Sequence, residues 1–579
     1  MKTNLLLLLV IFLFSVFLSL PIVKLGLYQM HDDQQVARLY LFDKSAKEGQ
    51  FPVRWVDELG FGFGYPLFVF YPPLVYMLGE VFHLLGFGFI DSVKLVFFFS
   101  VFGSGIAMFI LVKELWGRLA GLTASLFYMV LPYRALDIYV RGALAEAFSF
   151  VWLPLILWSY HMFYKTRKHI YWILSGLFLA LLMITHNLIF LPFMLIFPFY
   201  LLFLIFKSAE KRKFIVYCFL SIVLSLGISA FFWIPAILEK KFTLVDQLLL
   251  TNLADFRIHF VYLQQLWNWT WGFGGSAAGL ADGISFKIGK LHIIVSLATF
   301  MLALALLVKS KKLSKLSIVN YQLSIVFVLL FILSAFMTTF YSKFVWEIIK
   351  PLAYLQFPWR FLMFTGLFSS ALTGALIYLL RVTIFRLLAF FLLMILLLLP
   401  NLKLFKPESY RFDLTDEIAT AKSTINWDVS KTSFEYIPKG IGLTEDEFGH
   451  PMINLNQYQI PMQKIEVSPE TAKIYNLEPS SSKIKFGIDA FSRTTVKANV
   501  FSFPGWNLEI DGKPMSFSDN NPFKLITFEV DAGAHDIVLE FKRTFIRNLA
   551  DFVSLFTMFA IILSSFYLKL FKIKAKLRK

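Results

Sequence analysis

The chain has 579 residues, 58% of them hydrophobic and 16% charged, with 55 Lys and Arg against 38 Asp and Glu for a formal charge of +17. A soluble globular protein is roughly 25% charged, so this composition excludes an ordinary soluble domain and points to bilayer-crossing helices. The single cysteine, Cys218, excludes an intramolecular disulfide and a thiolate metal cluster.

The first apolar run, residues 4–23, follows Lys2 and has no small-residue cleavage site after it, which predicts an uncleaved first span rather than a secretory signal. Further runs near the bilayer-spanning length of about 20 residues lie at 93–112, 117–134, 143–163, 170–187, 188–206, 213–237, 290–308, 321–341, 359–380, 382–400 and 549–570. The basic stretches Lys207 to Lys213, Lys309 to Lys315 and the tail ending at Lys579 are placed in the cytoplasm, where positive charge is retained. Counting back from Lys207 puts Lys165 to His169 and Lys113 to Arg118 inside as well. The segment after the first span is then outside, and only 93–112 crosses between it and Lys113. Residues 66–87, interrupted by Pro66, Pro72, Pro73 and Gly79 and carrying Glu80 and His83, read as a re-entrant or interfacial segment on the outer face. The expected fold is a polytopic α-helical membrane protein of twelve spans in the cell membrane, with both termini cytoplasmic.

Residues 405–548 hold 16 basic and 20 acidic residues, while the remainder holds 39 basic and 18 acidic. The positive charge therefore belongs to the membrane part, which argues against nucleic acid as a partner. Alternating segments with Gly, Pro, Asn and Ser punctuation predict a β-rich extracytoplasmic lobe over 405–548, with turns at Asp511-Gly512 and Asp531-Ala532-Gly533. The domains expected are a membrane domain over 1–404, this lobe, and a last span with a basic tail over 549–579.

Outer loops are where chemistry can sit. The first, 24–92, opens with His31-Asp32-Asp33 and continues through Arg38, Arg54 and Phe61-Gly62-Phe63-Gly64. Paired carboxylates beside a histidine at a membrane rim suit a general base or a divalent cation; the alternative is a solvated helix end, with His31 as a capping residue. The second loop, 134–146, concentrates charge at the rim: Tyr133, Arg134, Asp137, Arg141 and Glu146. Arg134, Asp137 and Arg141 share a helical face and can neutralise one another. Alternatively, the two arginines match a phosphate through their forked donors. His186, in Thr185-His186-Asn187, closes a span and reads first as a helix-end cap. Trp267-Asn268-Trp269-Thr270-Trp271 suits sugar stacking or an aromatic belt, and Lys343, Lys350 and Arg360, in Gln356-Phe357-Pro358-Trp359-Arg360, place cations at another outer rim.

The motifs HDDQQVARLY, GQFPVRW, FGFGYPLFVFYPPLVY, LPYRALDIYVRGALAE, THN and QFPWRF, in this order, resemble the membrane proteins labelled 6-pyruvoyl-tetrahydropterin synthase-related, within the GT-C superfamily of integral-membrane glycosyltransferases. FPGWNLEIDGK and VDAGAHDIVLEFKRTFIR are similar to the C-terminal lobe of YfhO-like proteins of that group. The resemblance implies an essential carboxylate just after the first span, here Asp32 or Asp33, and a second acidic site at Asp137 and Glu146. It also implies peripheral helices in the first outer loop, in agreement with the reading of 66–87.

The activity implied is transfer of a sugar from a polyprenyl-phosphate carrier to a glycan or lipid acceptor at the cell envelope, with inversion at the anomeric carbon. Asp32 acts as base; Arg134, Arg141 and Arg360 hold the phosphate, with His31, Arg54, Tyr133 and His186 as further binding residues. No Asp-x-Asp pair occurs in 134–146, so no metal is expected there, whereas adjacent Asp32 and Asp33 leave room for a divalent ion, Mg or Mn. The rival readings are a transporter or lipid flippase, which calls for charged residues mid-span and paired inverted halves, and a non-catalytic envelope-assembly protein.

Overall fold

The computed structural model describes residues 2–250, 254–309, 315–446 and 451–577. Most of the basic stretch from Lys309 to Lys315 and the end of the basic tail lie outside the described residues. Among those described, seven helices are long and apolar enough to cross a membrane, and up to nine if two bent pairs each count as one span. Asn4–Ser19, Leu74–Leu84 and His169–Thr185 are apolar but shorter. The chain is thus a polytopic α-helical membrane protein with a C-terminal β region, by length and composition of its helices.

The residues gather into two compact units, neither continuous in sequence. The first comprises 1–35, 81–225 and 253–415. Its helix Phe89–Trp116 packs on Arg118–Met129 and on Leu144–Thr166. Leu362–Leu379 is buried along nearly its whole length, against Arg118–Met129 and the helices Lys290–Lys309 and Lys315–Thr338. Small residues make this approach possible: a Cβ on Gly374 would come within 2.8 Å of the Ala120 carbonyl oxygen, and one on Gly366 within 2.5 Å of Leu131 Cδ1, just after Arg118–Met129. Small residues at interhelical contacts are the usual solution in lipid, where backbones must come close to gain dispersion energy.

The second unit comprises 36–80, 226–252 and 416–579. Its β lobe is built from β1 (Ile465–Glu466), β2 (Ala472–Pro479), β3 (Lys483–Ala490), β4 (Thr494–Phe501), β5 (Trp506–Ile510), β6 (Lys513–Met515), β7 (Leu525–Val530) and β8 (Gly533–Phe541). A five-stranded sheet runs β6-β5-β8-β3-β2 and a three-stranded one β7-β4-β1, all pairs antiparallel. Asp511 and Gly512 both take positive φ, 51° and 72°, as the tight β5–β6 hairpin requires. The Asp531–Gly533 turn does something else: β7 pairs with β4, and β8 with β5 and β3, so the chain changes sheets there.

The Phe61-Gly62-Phe63-Gly64 motif packs inside this unit. Phe63 lies 5.1 Å from Phe501, whose amide donates to the Phe63 carbonyl, and Trp55 meets Trp506 edge-on at 5.4 Å. Gly64 has φ +86°, and a Cβ there would sit 2.5 Å from the Trp55 ring, so only glycine fits.

Candidate functional site

The site lies wholly in the first unit. Pro132 starts a short helix, Pro132–Leu136, which widens into a π-helical turn over Asp137–Arg141 and stops at Gly142 in left-handed conformation, φ +65°. Single π turns of this kind recur at functional sites because they break the regular placement of side chains. Here the turn puts Asp137 and Arg141 four residues apart on one side, where Arg141 Nη1 donates to Asp137 Oδ1 at 2.5 Å. The same nitrogen donates to Glu146 Oε2 at 2.9 Å, from the first turn of the next helix.

Glu146 is the hub. It accepts from the Tyr133 hydroxyl at 2.5 Å, pairs with Arg141, and lies 3.4 Å from Arg360 Nε. His186 is within electrostatic reach of the same carboxylate. Relative exposures of 0% for Asp137, 1% for Glu146, 7% for Arg141 and 8% for Arg360 leave the two carboxylates dry and the two guanidiniums touching solvent. Such burial is tolerable only because the charges are mutually paired. The Arg141 guanidinium also lies 4.6 Å over the Trp359 ring, a contact that holds the plane of the cation.

The segment after the first helix is stitched onto this turn by its backbone. His31 N–H donates to Val140 O at 3.0 Å and Asp32 N–H to Arg141 O at 2.8 Å. Gln35 Nε2 donates to Gly142 O at 3.1 Å, and the Tyr28 hydroxyl to Ile138 O at 2.9 Å. Asp32 is half-buried, and no described residue hydrogen-bonds to its carboxylate, which acts electrostatically on Arg141. Asp33 beside it is exposed. His31 Nε2 is bonded to Phe273 O at 2.9 Å, tying the rim to a long loop further along the chain.

Two expected residues hydrogen-bond to other partners. Arg134 is fully buried, stacked 4.0 Å over Phe150, and donates only its Nε, to Tyr128 O at 3.2 Å; its two terminal nitrogens have no hydrogen-bond partner among the described residues. Arg54 belongs to the second unit, where it pairs with Asp551 and donates to Phe231 O at 3.1 Å. Conversely, Trp359, Gln35 and Tyr28 take part in the architecture although no charge marked them; Trp359 was legible only as the neighbour of Arg360. Among the described residues no group of three or more His, Cys, Asp or Glu side chains is placed to hold a metal. Asp32 and Asp33 supply two carboxylates adjacent in sequence.

Neither a protein-family model nor a curated protein sequence matches this chain. Among solved structures, it is similar to the arabinofuranosyltransferase AftD from Mycobacteria, with 14% identity and a TM-score of 0.39 over 69% of this chain and 26% of that one. It is also similar to the oligosaccharyltransferase of Archaeoglobus fulgidus in the apo form, with 11% identity and a TM-score of 0.42 over 72% of this chain and 56% of that one. The chain thus spans about a quarter of the length of the first and just over half of the second.

Proposed function

We propose that this chain is a GT-C-type membrane glycosyltransferase that moves a sugar from a polyprenyl-phosphate carrier to an acceptor hydroxyl at the outer face of the membrane. The observation that carries the reading is the placement of a partner-free carboxylate, Asp32, on the backbone of the Arg141 turn, beside a buried Glu146–Arg141–Arg360 cluster. The motifs that resemble the GT-C superfamily support the same choice. In this reading the protein has twelve crossings, both termini inside, and its β lobe outside, where it positions the acceptor.

Asp32 accepts the proton of the acceptor hydroxyl as the oxygen bonds to the anomeric carbon. The bond from that carbon to the phosphate oxygen breaks, and the carrier phosphate leaves with the electron pair. Sugar charge rises toward an oxocarbenium ion, and the phosphate gains negative charge that Arg141 and Arg360 stabilise in place. Glu146 and Asp137 are positioning residues: they fix Arg141 and Arg360 without touching substrate. A phosphate needs no proton to depart, so one base suffices, and a single displacement inverts the anomeric centre.

The test is transfer by membranes carrying wild type or Asp32→Asn, supplied with labelled polyprenyl-phosphate sugars. Product from wild type alone is expected. Equal product from both removes Asp32 as the base.

A further inference from the structure

Beside the carboxylate–arginine cluster, the first unit holds a second group of cations with no counter-charge among the described residues. Lys287 precedes the helix Lys290–Lys309, Lys290 opens it, and Lys403 lies in the turn Leu402–Leu404 that follows Thr383–Asn401. Among the described residues none of the three is in an ion pair. Burial, then Lys403 and Lys290, push the Lys287 amine below the ordinary lysine range, and no carboxylate opposes them. Lys290 and Lys403 stand at the ends of two helices long and apolar enough to cross a bilayer, and the end of a span is where lipid phosphates are met.

Aromatic rings lie beneath two of these amines. Lys287 Nζ sits 5.5 Å over Trp271 and Lys290 Nζ 5.7 Å over Trp267. The Trp271 indole N–H has no partner among the described residues. The loop itself is built rather than slack: Asp282 accepts from Gln265 Nε2, Ser276 Oγ and the Ala277 amide, and Gly274 and Gly283 close its neck. It reaches the candidate site twice, through His31 to Phe273 and through Phe286 stacked at 5.3 Å on Trp359, the ring beneath Arg141.

We propose that Lys287, Lys290 and Lys403 form the subsite that grips the phosphate of the lipid carrier, with Trp267 and Trp271 packed against the sugar next to it. This rests on the glycosyltransferase reading and adds the cations that bind the carrier phosphate beforehand to Arg141 and Arg360, which stabilise the charge that grows as it leaves. Arg141 is already paired with two carboxylates and Arg134 is fully buried, so neither supplies an accessible uncompensated charge for that first grip. Three uncompensated ammonium groups at a bilayer boundary attract a phosphate, and the adjoining indole faces suit the apolar face of a sugar.

The test is binding of a synthetic polyprenyl phosphate to the full chain purified in detergent, with uncharged polyprenol as control and phosphatidylglycerol as competitor. Each Lys→Gln change is expected to weaken binding about fivefold, and K287Q/K290Q/K403Q together about a hundredfold, with polyprenol binding unchanged. Asp32→Asn should bind polyprenyl phosphate as wild type does, so loss of transfer in that variant tests the catalytic reading and loss of binding in the lysine variants tests this one. Unchanged affinity in a triple variant that melts like wild type overturns the subsite. Equal displacement by phosphatidylglycerol overturns it as well, by making the patch a general headgroup contact.

Discussion

The amide of Asp32 donates to the carbonyl oxygen of Arg141 at 2.8 Å, so the acidic residue after the first helix and the arginine of the second charged segment are joined through the backbone. A backbone link leaves both side chains free for other work. Arg141 uses its own on Asp137 and Glu146, and Asp32 keeps its carboxylate unpartnered.

That division predicts a clean separation of activity from stability at Asp32. Asp32→Asn removes the proposed base but no hydrogen bond, so transfer should fall roughly a hundred- to ten-thousandfold, the usual share of general-base catalysis, while the melting temperature in detergent stays at the wild-type value. Asp33→Asn should retain most transfer. Initial rates with labelled donor, read beside thermal melts, decide it. A parallel loss of rate and melting temperature in Asp32→Asn would show a structural residue instead.

Glu146 should behave in the opposite way. Its carboxylate is 1% exposed and serves Tyr133, Arg141 and Arg360 together. Glu146→Ala leaves two guanidiniums under-compensated, a defect that typically costs about 3–5 kcal/mol. Tyr133→Phe deletes one hydrogen bond to a charged acceptor, at about 1.5–3 kcal/mol. Melting of the two variants against wild type checks the order, which reverses if Glu146 is not the hub.

The meeting of Asp32 with the Arg141 turn was legible in the sequence because charge at a membrane rim is costly unless it is used, and both segments carry it. The alternatives raised for 134–146 divide within the segment: Asp137 and Arg141 neutralise each other as helical neighbours do, whereas Arg134 turns away onto Phe150. A π turn changes the angular spacing, and nothing in the residues from Asp137 to Arg141 announces one. The same holds in the lobe. Asp511-Gly512 marks its hairpin through local φ preference, but whether the strands after Asp531-Ala532-Gly533 pair with each other or with distant partners is decided by which sheet buries Ile537 and Leu539, a tertiary matter. Arg54 reads as a rim cation in sequence, yet its partner, Asp551, lies nearly five hundred residues away along the chain, beyond any spacing argument.

In the second unit, Lys464 should make stability depend on pH. Its amine donates to the carbonyls of Asp57 and Gly62, and burial lowers its pKa to about 8 from the ordinary lysine value near 10.5. Between those values the unfolded chain holds the proton and the folded one releases it, so stability rises with pH across that window. Below about pH 8 the full penalty applies, about 3 kcal/mol for a shift of this size. Nearby Lys44, raised by Asp57 and Glu58 against its own burial, loses stabilisation only above its unfolded pKa and so does not act in this range. Urea or thermal unfolding of wild type and Lys464→Met from pH 7 to 10 should show a rise confined to wild type; matching slopes would assign the dependence elsewhere.

Gly142 offers the sharpest probe of the backbone link itself. Its φ is +65°, and a Cβ added there would lie 2.1 Å from Met30 Sδ and 2.6 Å from Met30 Cγ. Gly142→Ala therefore meets two penalties, roughly 1–2 kcal/mol for the left-handed backbone and a collision with the residue two positions before Asp32. If Met30 gives way, the 3.0 and 2.8 Å bonds from His31 and Asp32 to Val140 and Arg141 shift with it, and a displacement near 1 Å at a reacting group is worth about a hundredfold in rate. Met30→Ala added to Gly142→Ala relieves the collision but not the backbone strain. The pair should therefore be non-additive: the double variant is more active than the product of the single effects predicts, yet below wild type. Rates for the four proteins of this cycle measure the coupling directly, and simple multiplication of the two effects would mean that Met30 does not transmit the turn's geometry to Asp32.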